Sequence, residues 1–121
     1  MKILVVEDSA PLARAAKLKL EKCGAEVKSA ATVAQAKTFF EDGMVFDAVW
    51  LDHYLLGDES GLELVDYMNE KAIATPVFLI SNTVTEEKVG EYKGRGILQY
   101  FLKSNHPIAE IAKEIVEKVS K

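Results

Sequence analysis

The chain has 121 residues, of which 49% are hydrophobic and 28% are charged, a balance typical of one globular domain with a substantial core. The net charge of -4 argues against a protein that binds the phosphate backbone of nucleic acids, because such proteins carry a basic face. One cysteine excludes an internal disulfide, and no apolar run approaches the roughly 20 residues of a membrane-spanning helix. We expect a soluble, cytoplasmic protein with one domain over residues 1–121.

Four short apolar segments, and a weaker fifth in which apolar and polar residues alternate, are separated by segments of helical pattern. The predicted strands are 2–6, 25–30, 46–51, 76–80 and 97–102. Helix starts are predicted from capping residues, capping boxes or helical spacing at Ser9, Thr32, Gly61, Thr83 and Pro107. Strict alternation of strand and helix predicts an open parallel sheet with helices on both faces.

Four residues carry separate expectations. Trp50, in the third predicted strand, is expected in the core, because a strand between two helical layers needs bulky side chains. Cys23 is expected to be a packed thiol near the end of the first helix. His53 is interpreted as a partly exposed loop residue rather than a catalytic one, and His106 as a turn residue before the last helix.

Polar residues follow the strands at the edge where ligands bind in such sheets. Glu7 and Asp8 follow the first strand, Asp52 the third, Ser81 the fourth and Lys103 the fifth. Carboxylates gathered there repel one another unless a cation joins them, and oxygen ligands favour Mg²⁺. An aspartate that touches the metal and faces solvent can act as a nucleophile toward a phosphoryl group, with a lysine binding another of its oxygens.

These residues, in this order, resemble the receiver domain of two-component response regulators. The likeness spans the chain and is carried by "ILVVEDS", "FDAVWLD", "SGLELV", "TPVFLIS" and "GILQYFLKS". It implies a flavodoxin-like three-layer α/β sandwich, with five helices around a five-stranded parallel sheet in the order 2-1-3-4-5. It also implies a signalling module rather than an enzyme, with catalysis limited to its own phosphorylation and dephosphorylation.

The resemblance implies a role for each residue of the site. Asp8 would bind Mg²⁺ directly and Glu7 through water, and the backbone carbonyl of Tyr54 would be a further ligand. Asp52 would bind the metal and accept a phosphoryl group from a histidine kinase or phosphotransfer protein, with Lys103 contacting that group.

The resemblance also implies a switch and an output surface. The Ser81 hydroxyl would move to the phosphoryl group while the Tyr100 ring turns inward. A downstream protein would then be bound at the fourth helix, fifth strand and fifth helix. The same surface, near Tyr92 and Ile97, is a candidate for a homodimer; neither nucleic acid nor membrane is expected as a direct partner.

Among the positions that depart from the family pattern, two lie next to site residues. Ser104 stands where proline usually follows the lysine in a cis peptide, so a trans bond is expected here and Lys103 would be placed differently. Asn82 stands where a small residue is usual. These departures keep open the alternative of a degenerate receiver, a protein-interaction module that works without phosphorylation. A Mg²⁺ phosphohydrolase is disfavoured, because Tyr54 occupies the place of the second acid that such enzymes carry. A flavin-binding protein is also disfavoured.

Overall fold

The computed structural model describes residues 1–53, 60–82 and 85–120. The strands are β1 (Lys2–Val6), β2 (Glu26–Ala30), β3 (Ala48–Leu51), β4 (Val77–Ser81) and β5 (Gln99–Leu102). The helices are α1 (Ala10–Lys22), α2 (Val33–Glu41), α3 (Gly61–Glu70), α4 (Glu86–Gly94) and α5 (Ile108–Val119). A 3₁₀ turn over Lys103–Asn105 separates β5 from α5.

All strand pairs are parallel, and the sheet order is β2-β1-β3-β4-β5. This arrangement confirms the predicted flavodoxin-like sandwich. The three central strands have the continuous apolar sequences that two-sided burial requires, and every residue of β3 and β4 is buried. Helices on both faces of the sheet exclude water from these strands.

Alternation along the strands divides the core into two layers, one on each face of the sheet. Strand residues on one face pack against α1 and α5, and they include Ile3, Val5, Trp50, Phe78 and Ile80. Strand residues on the other face pack against α2, α3 and α4, and they include Leu4, Val6, Val49, Leu51 and Leu79. The core position predicted for Trp50 is confirmed.

The helices begin close to the predicted residues, with one correction. The Ser9 hydroxyl caps α1, and the Thr32 hydroxyl accepts the backbone N–H of Gln35 at 3.1 Å to cap α2. The fourth helix does not start from Thr83, which lies outside the described residues. Thr85 caps it instead, and Glu86 and Glu87 occupy the first turn, where the helix dipole favours negative charge.

The prediction for Cys23 was wrong. This residue is the C-cap of α1, where the chain leaves the helix, and its side chain is exposed. The apolar face of α1 ends at the fully buried Leu20, so the next residues no longer face the sheet. Among the described residues, no helix is long and apolar enough to cross a bilayer.

Candidate functional site

The register of the sheet brings the ends of neighbouring strands to one edge. Val6 pairs with Leu51, so the residues that follow β1 and β3 lie side by side. The backbone N–H of Asp52 donates to the Val6 carbonyl at 3.0 Å, and the N–H of Glu7 donates to the Ala30 carbonyl at 2.9 Å. The ladder thus extends one residue past each strand and fixes the backbone that carries both acids.

Glu7, Asp8 and Asp52 form an acidic cluster at this edge. One carboxylate oxygen from each lies within 4.8 Å of the other two. Glu7 is 4% exposed and Asp52 is 7% exposed, so the cluster is recessed rather than spread over the surface. Burial raises the pKa of Asp8, and the neighbouring Glu7 carboxyl raises it further. Three oxygen donors at this spacing are suited to a hard divalent cation.

The adjacent acids reach the same site because β1 ends at Val6. Asp8 lies beyond the strand, as expected. Its side chain therefore does not have to point to the face opposite that of Glu7, as it would if the strand continued. The backbone N–H of Ser9 donates to Glu7 Oε2 at 3.3 Å, which holds the Glu7 side chain over the start of α1. The turn from strand to helix thus supplies two carboxylates from consecutive residues.

Lys103 brings positive charge to the cluster from β5. Its Nζ lies 2.8 Å from Glu7 Oε1 and 3.7 Å from Asp52 Oδ2, and the side chain is 15% exposed. Peptide bonds between described residues are trans, including the one before Ser104, as expected. The lysine reaches both acids with this trans bond.

Ser81 and Tyr100 lie next to the cluster at the same edge. Ser81 ends β4, is buried, and pairs with Leu102, the residue before Lys103. Its backbone carbonyl accepts the hydroxyl of Tyr100 at 3.1 Å. Tyr100 is half-buried, and burial raises the pKa of its phenol. The exposed Asn82 follows Ser81.

Tyr54, which the resemblance implies as a metal ligand through its carbonyl, lies outside the described residues. The other predicted site residues are described. Four of them, Glu7, Asp8, Asp52 and Lys103, are brought together by side-chain contacts and short distances. The remaining two, Ser81 and Tyr100, join them through the pairing of β4 with β5.

His53 was misjudged as partly exposed. It is buried, and its Nδ1 lies 2.6 Å from the hydroxyl of Tyr92, whose ring it meets edge-on at 5.5 Å between centroids. Burial lowers the pKa of His53, with a contribution from the positive charge of Lys88. Burial also raises the pKa of Tyr92, and the negative charge of Asp52 raises it further. The site therefore extends beneath Asp52 into the core.

Tyr92 is fully buried and does not line the candidate dimer surface to which the sequence assigned it. The local sequence does indicate that Tyr92 is buried, because Val89 and Tyr92 are the large apolar or aromatic residues of an otherwise polar fourth helix. Those two residues mark the face of the helix that turns toward the sheet. The partner of the Tyr92 hydroxyl has no local signal, since His53 is separated from it by 39 positions.

The comparisons with known proteins agree with this geometry. The sequence matches the family model for the response regulator receiver domain over residues 3–116. The comparison with curated proteins found no match. Many solved structures share the fold, although the three described next are less than 25% identical to this chain.

A receiver domain protein from Methanospirillum hungatei has a TM-score of 0.88 at 24% identity, with 98% of this chain and 93% of that chain covered. The receiver domain of the Francisella response regulator 1452 has a TM-score of 0.84 at 24% identity, with coverage of 98% and 96%. The chemotaxis protein CheY4 of Vibrio cholerae has a TM-score of 0.82 at 23% identity, with coverage of 98% and 97%. The chain belongs to the response regulator receiver domain family.

Proposed function

We propose that Asp52 accepts a phosphoryl group from the phosphohistidine of a histidine kinase or phosphotransfer protein, and that this change alters the affinity of the domain for a downstream protein. The observation that carries the proposal is the position of the Asp52 carboxylate. It lies within 4.8 Å of oxygens of Glu7 and Asp8, while the Lys103 ammonium approaches its Oδ2 at 3.7 Å. A recessed carboxylate between acids and a cation is suited to nucleophilic attack on phosphorus.

The reaction transfers the phosphoryl group without oxidation or reduction. An oxygen of Asp52 forms a bond to phosphorus while the bond from phosphorus to the donor imidazole nitrogen breaks, and the electron pair of that bond stays on the nitrogen. Because the other ring nitrogen of the donor carries a proton, the imidazole leaves as a neutral group, and the second product is an acyl phosphate on Asp52. Water can later attack the acyl phosphate, which returns Asp52 to its carboxylate and releases inorganic phosphate.

Glu7, Asp8 and Asp52 would hold Mg²⁺, with the backbone carbonyl of Tyr54 as a further ligand. The donor set fits this ion, because all of the contributed atoms are oxygens and Mg²⁺ accepts few protein ligands. The bound ion would supply positive charge opposite the phosphoryl oxygens. The raised pKa of Asp8, caused first by burial and then by the neighbouring Glu7 carboxyl, is consistent with a site that favours a bound cation.

Lys103 and Ser81 would contact the transferred group. The Lys103 ammonium, held by Glu7 at 2.8 Å, offers charged N–H donors to a phosphoryl oxygen. The Ser81 hydroxyl would donate to another oxygen from the end of β4. Because the Ser81 carbonyl accepts the Tyr100 hydroxyl at 3.1 Å, a shift of Ser81 would release or redirect Tyr100. This link supports the role of both residues as a switch.

Two grooves support separate partner surfaces. One, of about 400 Å³, runs from Glu7 and Asp8 along α1 past Arg14 and Lys17, where a phosphodonor protein could approach. The other, of about 510 Å³, lies between α4 and β5 and includes Tyr100 in its lining. We assign the second groove to the downstream protein, and the same region to a homodimer if one forms. We further propose that residues 1–121 form one receiver domain and that it works in the cytoplasm.

The proposal is tested with a small phosphodonor such as phosphoramidate in the presence of Mg²⁺. We expect intact-protein mass spectrometry to show the addition of one phosphoryl group, which Asp52→Asn abolishes and chelation of Mg²⁺ prevents. Beryllofluoride should change the fluorescence of Trp50, which lies two positions from Asp52 in the chain. If the folded protein takes up neither phosphoryl group nor beryllofluoride, phosphorylation is excluded and the phosphorylation-independent module replaces it.

A further inference from the structure

Residue 53, next to the proposed acceptor, forms hydrogen bonds through both its backbone N–H and its backbone carbonyl. Its N–H donates to Asp52 Oδ1 at 2.8 Å, and its carbonyl accepts the N–H of Gly61 at 3.2 Å. The first bond orients the Asp52 carboxylate directly, since one of its two oxygens is held while the other faces Lys103. The orientation of the acceptor therefore depends on where residue 53 sits.

The position of His53 depends in turn on Tyr92. The Tyr92 hydroxyl lies 2.6 Å from His53 Nδ1, and both side chains are buried, so water does not compete with this hydrogen bond. The ring of Tyr92 is packed in the core layer formed by β3, α3 and α4. The hydroxyl thus projects from a rigid support toward the imidazole.

The chain makes room for this hydroxyl at Gly61. A Cβ at position 61 would lie 2.5 Å from the Tyr92 hydroxyl oxygen and 3.0 Å from the backbone carbonyl oxygen of Asp52. Real side chains do not approach so closely, so only glycine allows α3, Tyr92 and Asp52 to meet here. A tyrosine that served only as core bulk would not need its oxygen in this space, because phenylalanine fills the same volume without it.

We propose that Tyr92 is a positioning residue for phosphoryl acceptance, acting through His53 on the carboxylate of Asp52. The inference rests on the proposed function of Asp52. Tyr92 belongs to α4, whereas the acceptor follows β3, so the contact also ties this helix to the site. Loss of the hydroxyl should leave the Asp52 carboxylate less well oriented without removing any group that touches Mg²⁺ or the phosphoryl donor.

The test is Tyr92→Phe, assayed with phosphoramidate over a range of concentrations at saturating Mg²⁺. We expect the maximal rate of phosphorylation to fall about fivefold, the effect of one lost hydrogen bond, with the half-saturating donor concentration unchanged. The affinity for Mg²⁺ should stay at the wild-type value. Tyr67→Phe is the matched control and should react at the wild-type rate, since Tyr67 on α3 packs against Phe40 on α2 at a ring distance of 6.4 Å.

His53 variants separate positioning from a merely structural role. The effect of Tyr92→Phe should disappear in a His53→Ala background, because the hydroxyl then has no imidazole to position. His53→Gln, whose amide can still bond to the hydroxyl, should react faster than His53→Ala. If Tyr92→Phe fails to fold, the comparison of His53→Gln with His53→Ala still tests the positioning role.

The outcomes distinguish this inference from the function on which it rests. If the wild-type protein is not phosphorylated while folded, the proposed function fails. If the wild type is phosphorylated and Tyr92→Phe has the same maximal rate, only the positioning role fails. If Tyr92→Phe slows the wild-type protein but does not slow His53→Ala further, the positioning role is supported. If the two substitutions slow the reaction additively, the positioning role is overturned.

Discussion

Lys103 supplies the cation on which the charge balance of the acidic cluster depends. Its Nζ lies 2.8 Å from Glu7 Oε1, and the Glu7 side chain is almost completely buried. Removing one member of a buried ion pair is costly, because the other charge remains without compensation. Lys103 thus stabilises the fold by compensating the negative charge of the carboxylates around it.

In buffer without divalent cations, we expect Lys103→Met to lower the free energy of unfolding by about 3 kcal/mol, since Glu7 would keep an uncompensated charge. Urea denaturation measures the change, and Mg²⁺ should restore part of the loss. Lys2→Met is the control, because Lys2 forms an exposed ion pair with Glu26 at 3.7 Å, a type worth about 0–1 kcal/mol. Equal losses in the two variants would contradict this account.

Asp8 makes the stability of the metal-free protein depend on pH. Its pKa is raised in the folded state, so the stability it contributes is present in full below the ordinary aspartate pKa and is lost as pH rises through the raised value. Asp8→Asn should therefore be more stable than the wild type at neutral pH in the presence of a chelator. The difference should shrink as pH falls toward 3.8, the ordinary value.

Urea titrations of both proteins at neutral and acidic pH measure this difference. A wild type that is the more stable protein at neutral pH without metal would contradict the prediction. Mg²⁺ should reverse the order, because a ligand that binds only the folded state at 100 times its dissociation constant stabilises by about 2.7 kcal/mol. Asp8→Asn, with one ligand removed, should gain much less at the same concentration.

At the scale of elements, the start of α3 is set by its fit against α4 and the end of β3. The Ser60 hydroxyl and the Glu63 carboxylate form a capping box that fixes where α3 begins. Gly61 then occupies the first helical position, where the Tyr92 hydroxyl and the Asp52 backbone approach it. The first residue of this helix is thus in close contact with both α4 and the end of β3.

Gly61→Ala should lower the free energy of unfolding by about 1–3 kcal/mol, because its added Cβ would overlap the Tyr92 hydroxyl oxygen at 2.5 Å. Gly90→Ala is the matched control on α4, where an added Cβ meets nothing within 4 Å. That variant should gain up to about 1 kcal/mol from helix propensity. Thermal or urea unfolding of the two variants gives the comparison, and a neutral Gly61→Ala would refute the tight fit.

Helix boundaries show where sequence patterns are ambiguous. The stretch "TVTE" offers Thr83 as a cap, and Thr85, two positions later, offers an equal hydroxyl. Sequence spacing does not choose between them. The Thr85 hydroxyl accepts the N–H of Lys88 at 3.2 Å, because α4 is positioned by the packing of Tyr92 in the core. A tertiary contact therefore decided a local choice.

At the scale of the whole molecule, the periodicity of the sequence was sufficient to predict the sheet and the acidic cluster. Glu7, Asp8, Asp52 and Lys103 follow strands, and parallel strands bring their carboxyl ends to one edge whatever the details of packing. His53 was not predictable in this way. Its burial depends on Tyr92, 39 residues distant, and on the space at Gly61, and no periodic signal encodes such a contact.

The two core layers share the same strands, so we expect the molecule to unfold as one unit. Ile115→Ala in the layer under α5 and Met68→Ala in the layer under α3 should each cost about 2–5 kcal/mol. In each variant, Trp50 fluorescence and far-ultraviolet circular dichroism should give coincident urea transitions. Separate transitions would show that one layer can melt while the other persists.

The exposed thiol at the end of α1 has a practical consequence. Helix α1 starts beside the acids, so its C-cap, Cys23, lies at the far end of the molecule from them. Since the chain has one cysteine, a maleimide linker would attach at a single point and tether every copy to a sensor chip in the same orientation. Immobilised in this way, the domain would present its acidic edge to partners in solution.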